Sequence, residues 1–488
     1  MNQIKRMLVV ATLLVAPLLQ MSFAQQQQQD EVRVAAERIA SSVLVSGQAM
    51  NFVTELSDTF GGRLTGTASH RRSAEWAAAK FRAAGIKDVR LEAFTIPNGW
   101  DRGWARGRMV SPMDRPLHIE SLGWSPSTPP GGVRGEVMLM SDLAPEKIKA
   151  QAAQIKGHVL MINTGAVFAD GLVGFSRLVR AVPLIKEAGA QAIMMTDFES
   201  NNVLNAFGLT WGAETSALPV AQVGLEDAKL IMRLAEKGPV SVEFQFTNKT
   251  SGPVEVNNVI AEIRGREKPD EWIIVGAHLD SWDYGTGAQD NGTGCAMVFE
   301  AARAIAQLGR APRRSVRFAL WGGEEQGLLG SAAYVKAHAA ELNNCIAVLN
   351  TDNGAGHPRG WKVEGRTDLA EALKPISQSL LKGLSGDGIS QNLSYDTDHG
   401  PFMLQGIPAL DLWVRMETYE VVHHKSSDTV DKIDAHNLDS GSAIVAITAY
   451  AIAERSDPIA PHIDHAAVEA LLDKARLTDF LKSIDLWK

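Results

Sequence analysis

From Val254 onward the chain alternates short, continuously apolar runs with longer helical ones: EWIIVGAHLD, TGCAMVFEAARAIAQLG, RSVRFALWG, LLGSAAYVKAHAAEL and CIAVLNTD follow one another. No other feature restricts the fold as much. Strand-like runs that are apolar throughout, rather than at every second residue, are buried on both faces. Strands separated by helix-length segments pair in parallel, because a parallel return needs a crossover of a dozen or more residues. The alternation predicts an α/β fold, a mostly parallel sheet flanked by helices. Two helices, over 442–454 and 466–484, are predicted to close the chain.

The upstream sequence has a different texture. Residues from 30 to 86 read as helical, and SHRRSAEWAAAKFRAAGI ends at Gly85, a residue suited to a helix C-cap. The strand VRLEAFTI follows. From 122 to 250, short runs such as GEVMLM, GHVLMINTG, AQAIMMTDF and SVEFQF are divided by turn residues, with one helix, RLVRAVPLIKEAGA, among them. This stretch reads as a small β-rich module. The segment before it is too short to bury a core of its own. The expected division is therefore one α/β domain made of 30–121 and 251–488, interrupted by an insert at 122–250.

Lys5 and Arg6 precede an apolar run from Met7 to Leu19 and the small-residue end Ser22-Phe23-Ala24, so residues 1–24 read as a secretory signal peptide. The protein is expected to be exported, to the periplasm or outside the cell, with no membrane anchor once the signal is removed. The run Gln25 to Gln29 is expected to be disordered. Export permits a disulfide, but Cys295 and Cys345 lie in apolar surroundings and are expected to be buried free thiols. A formal charge of −8 on 488 residues gives no reason to expect nucleic acid as a partner.

In an open parallel sheet, binding groups collect at the carboxyl ends of the strands. Here His278 ends IIVGAH, Asp290 opens the next helix, Glu324 and Glu325 follow RFALWGG, and Asp352 ends CIAVLNTD. Singly, each has a plain structural explanation, such as a core histidine or an aspartate that caps a helix. Together they put nitrogen and carboxylate donors on one edge. Neighbouring side chains in an extended segment point to opposite faces, so Glu324 and Glu325 are predicted to divide two tasks, one holding a metal and one a proton. Asp280 follows His278 by two residues and is predicted to hydrogen-bond its imidazole and orient it. A donor set of nitrogen and oxygen without thiolate suits zinc, with cobalt or manganese as alternatives. There are more donors than a single catalytic zinc takes, which points to two metal ions sharing a carboxylate.

The strings VGAHLDSWDYGTGAQDNGTG, LWGGEEQGLLGS, LNTDNG and HHKSSDT resemble the co-catalytic di-zinc exopeptidases, a family that includes bacterial aminopeptidases and plasma glutamate carboxypeptidase. HLDSWD and the HH-x-x-x-D-T string resemble its carboxypeptidase Q branch in particular. The resemblance covers 254–434 strongly and RLTGTASHRRSAEWAAAKFRAAG more weakly, and the insert resembles a protease-associated domain. Residue by residue, it implies two Zn2+ ions per chain: His278 and Asp352 bind one, Glu325 and His424 the other, and Asp290 bridges them. It also implies that Glu324 is the general base, a choice between the two glutamates that the residues alone leave open. His424 is preferred to His423 because the family spacing H-x-x-x-D-T ends here in Asp428 and Thr429, with Asp428 in a supporting place. GGEE replaces the commoner aspartate-containing lead-in, which leaves the ligands intact. His399, in YDTDHGPF, resembles a segment lining the substrate side and is a candidate substrate contact.

The function this resemblance implies is hydrolysis of peptide bonds in short peptides by an aminopeptidase or dipeptidase. A carboxypeptidase is the alternative on the same metal core. Two remoter alternatives are a non-catalytic binding relative, which would have lost ligands, and a single-zinc enzyme of the glutaminyl cyclase kind. The resemblance also implies a homodimer.

Overall fold

The computed structural model describes residues 26–210 and 212–488. The signal-like segment, 1–24, lies outside the described residues. The expectation of disorder in the glutamine run is corrected: residues 26–29 open a helix that spans 26–46. Glutamine is a good helix former. The helix is held because Ala35, Ala36, Ile39 and Val43 enter the main core, and Gln28 Nε2 donates to the Glu454 carbonyl at 2.9 Å.

The central sheet has eight strands in the order Asp88–Ile96, Val254–Ile263, Arg314–Trp321, Lys268–His278, Cys345–Asn350, Ala409–Val414, Pro358–Lys362 and Gly388–Ser390. Four strands, from Arg314–Trp321 to Ala409–Val414, run parallel at its centre. Antiparallel partners flank them on both sides. The apolar runs are double-sided, as their composition predicts. Ile273, Val275 and Ala277 face one core while Trp272 and Ile274 face the other. Val316, Phe318 and Leu320 alternate in the same way with Ala319 and Trp321.

The first core is covered by Ala49–Phe60, Ala68–Ala83, Thr293–Ala306 and Ala435–Glu454. The second is covered by Leu329–Ala337, His465–Ala475 and Thr478–Ser483. The last two replace the single helix predicted over 466–484, because the chain turns at Arg476 with a left-handed φ of 60°. The connection from Lys268–His278 to Arg314–Trp321 crosses the first face. The next, to Cys345–Asn350, crosses the second face and lands on the far side of Lys268–His278. The strand order reverses there, so a crevice opens at the end of the strand that carries His278.

A second eight-stranded sheet has the order Arg115–Pro116, Ala105–Ser111, Ser241–Phe246, Val133–Met140, Val159–Ile162, Ala192–Thr196, Val220–Val223 and Ile119–Ser121. Three of its strands lie upstream of residue 122, so this sheet begins before the stretch that reads as a module. Gly171–Glu187 packs on one face through Leu178, Val182 and Ile185. Leu225–Ala235 packs on the other through Ala228 and Ile231, a second helix that the strand-rich reading does not predict. Cys295 and Cys345 are both buried and free.

Candidate metal centre

Strand ends and the turns after them converge on the crevice. His278 is the last residue of its strand, and Asp352 follows Cys345–Asn350. Glu324 and Glu325 lie in the turn beyond Arg314–Trp321. Asp290 sits in the irregular turn Ala288–Gly292 that leads into Thr293–Ala306. His424, with a left-handed φ of 60°, lies in the turn after Glu417–Val422.

His278 Nε2 stands 3.1 Å from Asp352 Oδ1 and 3.2 Å from Asp290 Oδ1. His424 Nε2 stands 3.0 Å from Glu325 Oε2 and 3.4 Å from Asp290 Oδ2. Asp290 thus turns one oxygen toward each histidine. Glu324 Oε2 lies further out, 3.9 Å from His278 Nε2. The structure therefore gathers His278, Asp290, Glu324, Glu325, Asp352 and His424 into one cluster. His423 is close as well, 3.6 Å from Asp290 Oδ2 with its ring on that of His424, but it is half-exposed. Asp290 Oδ2 and Glu325 Oε1 are buried without a hydrogen-bond partner among the described residues. Each such orphan costs about 1–3 kcal/mol unless a proton or cation meets it.

The electrostatics tell the same story. Burial pushes Glu324 and Glu325 well above the usual carboxylate range and Asp352 up to about 6. Burial also opposes ionisation of Asp290, but the hydrogen bond from His278 and the nearby His423 outweigh it and hold the carboxyl low. Burial disfavours a charged His278, yet Asp352 and Glu324 raise it. Burial lowers His424, and burial with the adjacent His424 ring lowers His423 to about 3, so both rings keep a free lone pair. This is a cluster short of positive charge.

The supporting contacts differ from the sequence expectation at Asp280. The backbone carbonyl of Asp280, 2.9 Å from His278 Nδ1, orients the imidazole, while its carboxylate is 3.8 Å from that nitrogen. The strand stops at His278, so residues 278 and 280 do not share the face of an extended segment. The Asp280 carboxylate instead accepts the backbone N–H groups of Glu324 at 3.2 Å and Glu325 at 3.3 Å, and the Thr65 hydroxyl at 2.9 Å. The two glutamates part company in a turn pinned by Asp280, not through a strand pleat. Asp428 acts similarly, accepting the backbone N–H groups of Gln289 at 2.6 Å and Asp290 at 3.1 Å.

His399 does not reach the cavity, which corrects the expectation that it touches substrate. It is fully buried, with Nδ1 2.7 Å from Thr397 Oγ1 and Nε2 3.1 Å from the Ser394 carbonyl. Burial opposes its charge, but Glu364 raises it to about 9. It braces from behind the Ser394–Thr397 loop, which does line the cavity.

Sequence reasoning misses Arg63, whose only signal is its place in RLTGTAS. Arg63 is fully buried and donates to the carbonyls of Leu279 at 2.7 Å, Thr286 at 2.7 Å and Gly287 at 2.8 Å. It thereby shapes the loop between His278 and Asp290. Arg63→Met is expected to destabilise the fold by about 3 kcal/mol or more, because it orphans several buried carbonyls at once. Urea unfolding checks this, and a loss of bound metal should accompany it.

The cluster lines a cavity of about 800 Å³. The second-sheet unit contributes Phe168, Phe198 and Phe207 to it, and the C-terminal segment contributes Phe480 and Leu486. The same unit grips the loop that carries His424. Ala206 donates to the His424 carbonyl at 2.8 Å, and Glu199 pairs at 2.8 Å with the buried Lys425.

The chain is similar to proteins of known family and fold. Residues 258–449 match Peptidase family M28. Carboxypeptidase Q of Bos taurus is 30% identical over 433 residues, covering 85% of this chain and 89% of that protein. Aminopeptidase YwaD of Bacillus subtilis (strain 168) is 24% identical over 414 residues, covering 82% of this chain and 84% of that protein. The solved structure of a Peptidase M28 precursor from Shewanella amazonensis SB2B superposes with a TM-score of 0.77 at 28% identity, covering 89% of this chain and 99% of that chain.

Proposed function

The chain belongs to peptidase family M28, and on that premise we propose that it is an exported di-zinc exopeptidase of short peptides, an aminopeptidase or dipeptidase. Asp290 carries the reading, with one oxygen toward His278 and the other toward His424. The unpartnered buried oxygens of Asp290 and Glu325 fit a pair of cations, and a donor set of imidazole and carboxylate fits zinc. His278 and Asp352 would hold one ion and Glu325 and His424 the other, with Asp290 shared. Bound there, two zinc ions acidify a water and polarise the scissile carbonyl.

Glu324 is the general base in this reading. Its carboxylate takes the proton of the attacking water and returns it to the leaving amine. Burial raises its proton affinity above that of a free carboxylate, which suits a group that both takes and gives a proton. Asp280 holds its backbone in place.

The cavity supports recognition of an amino end. Away from the cluster it presents Glu199, Asp396, Asp411 and Glu420 against Lys362 and Lys425. Lys362 pairs with Asp411 at 2.8 Å and Lys425 with Glu199 at 2.8 Å. The surplus charge is thus negative and suits a free ammonium group. The second-sheet unit, read as a protease-associated-like insert, walls the cavity and limits it to short peptides. Among the described residues no helix is long and apolar enough to cross a membrane. Export rests on the signal-like segment of the sequence.

Hydrolysis of an amino-acid anilide, a free dipeptide and an N-blocked dipeptide tests the proposal. Cleavage of the first two alone is expected. Cleavage of the blocked peptide would mean that the carboxylate end is read, and the carboxypeptidase reading would replace this one.

A further inference from the structure

Beside Glu325 and His424 lies a side chamber of about 180 Å³ that shares Phe168 and Phe207 with the main cavity. Its walls are aromatic. Trp124 meets Trp282 edge-on at 6.3 Å, Phe168 meets Phe207 edge-on at 6.2 Å, and Trp282 meets the His424 ring at 6.0 Å. Gly123 lets Trp282 approach, since a Cβ there would sit 2.5 Å from the indole.

Two residues that line this chamber carry side-chain polar atoms that no hydrogen bond meets among the described residues. Gln326 is 4% exposed, and neither its Oε1 nor its Nε2 has a hydrogen-bond partner among the described residues. Trp282 is 5% exposed, and its Nε1–H is unpartnered as well. Buried polar groups are ordinarily paired, so three unmet atoms on two residues that line one small chamber call for a ligand toward which these side chains can turn.

The chamber's chemistry narrows what that ligand is. The walls favour a flat ring, and a cavity of about 150 Å³ already takes benzene, so this one has room for a ring with one more small group. The amide offers both a donor and an acceptor, and the indole offers a donor. A phenol hydroxyl both donates and accepts. We propose that this chamber is the subsite for a tyrosine side chain of the peptide substrate, with Gln326 bonding the phenol. The proposal rests on the peptidase reading. Phenylalanine fits the same walls but leaves the amide and the indole N–H desolvated and unpaired, so the site rejects it.

The test compares the wild-type protein with Gln326→Met on Tyr-Ala, Phe-Ala, Ala-Tyr, Ala-Phe and Ala-Ala. Methionine has a similar volume, and the Gln326 amide bonds nothing among the described residues, so the variant should fold, as a melting curve will check. At one of the two positions, kcat/KM should favour tyrosine over phenylalanine by about tenfold or more, and the ratio should fall to near one in Gln326→Met. A wild-type ratio near one at both positions, or a ratio unchanged in the variant, overturns the proposal. Cleavage of Ala-Ala without tyrosine preference leaves the peptidase reading standing and removes only the subsite. If no dipeptide is cleaved, the peptidase reading fails and calorimetry with p-cresol and toluene judges the chamber alone. A p-cresol preference confined to the wild-type protein supports the subsite, and equal binding of the two overturns it.

Discussion

Glu324→Gln is expected to lower peptide turnover by about 10³-fold while the protein still binds two zinc ions per chain. Glutamine keeps the size of the side chain. Its backbone N–H still reaches the Asp280 carboxylate, so the turn is undisturbed. What it loses is the ability to take a proton. Glu324 sits 3.9 Å from His278 Nε2, whereas Glu325 sits 3.0 Å from His424 Nε2 with its other oxygen unpartnered. Glu325→Gln is therefore expected to lose metal as well as activity. Metal analysis beside single-turnover kinetics separates the two. Full activity in Glu324→Gln would remove it as the base, and loss of metal there would make it a ligand.

Chelation is expected to abolish turnover, with zinc restoring it, and to lower the melting temperature by several degrees, since ions that bind only the folded state each contribute about 3–4 kcal/mol at saturating concentration. The cause is the crowding of Asp290, Glu324, Glu325 and Asp352 in a buried site. Without cations, protons must neutralise it. Glu324 and Glu325 stand well above the usual carboxylate range and Asp352 at about 6, so their contribution is present below pH ~4 and lost as pH rises through about 6 and beyond. His278, also raised, acts with the same sign, whereas Asp290, His423 and His424, all lowered, oppose it and are outweighed by the larger number of raised groups between pH 5 and 8. The chelated protein should melt higher at pH 5 than at pH 8. The loaded protein should show the reverse, because protons compete with metal for the ligands. Equal melting of the two forms at pH 8 would mean that the cluster holds no cation.

Much of this site is legible without coordinates. Continuous apolar runs between helices demand a parallel, two-sided sheet, and such a sheet brings its strand ends to one edge. His278, Asp290, Glu324, Glu325 and Asp352 could be listed on that ground, and HHKSSDT added His424 by resemblance. The buried free state of Cys295 and Cys345 also follows from their apolar neighbours. These are properties of short stretches, where side-chain period and local composition decide the outcome.

The tertiary structure decided what depends on where the chain closes on itself. Glu324 and Glu325 part through a turn held by Asp280 and not through the pleat of a strand. Arg63 bonds carbonyls 216 to 224 residues away, and Asp428 holds the Asp290 backbone from 138 residues away. His399 turned inward, and Gln326 turned into an aromatic chamber made largely by a unit remote in sequence. No period or spacing encodes such partners. Local composition and periodicity set the strands that carry the site and the donors that crowd one edge, because those follow from burial of adjacent residues. Only the packed fold decided which backbone each carboxylate grips and which polar groups are left for a ligand, because a buried hydrogen bond is set by distances between chain segments that sequence separation does not constrain.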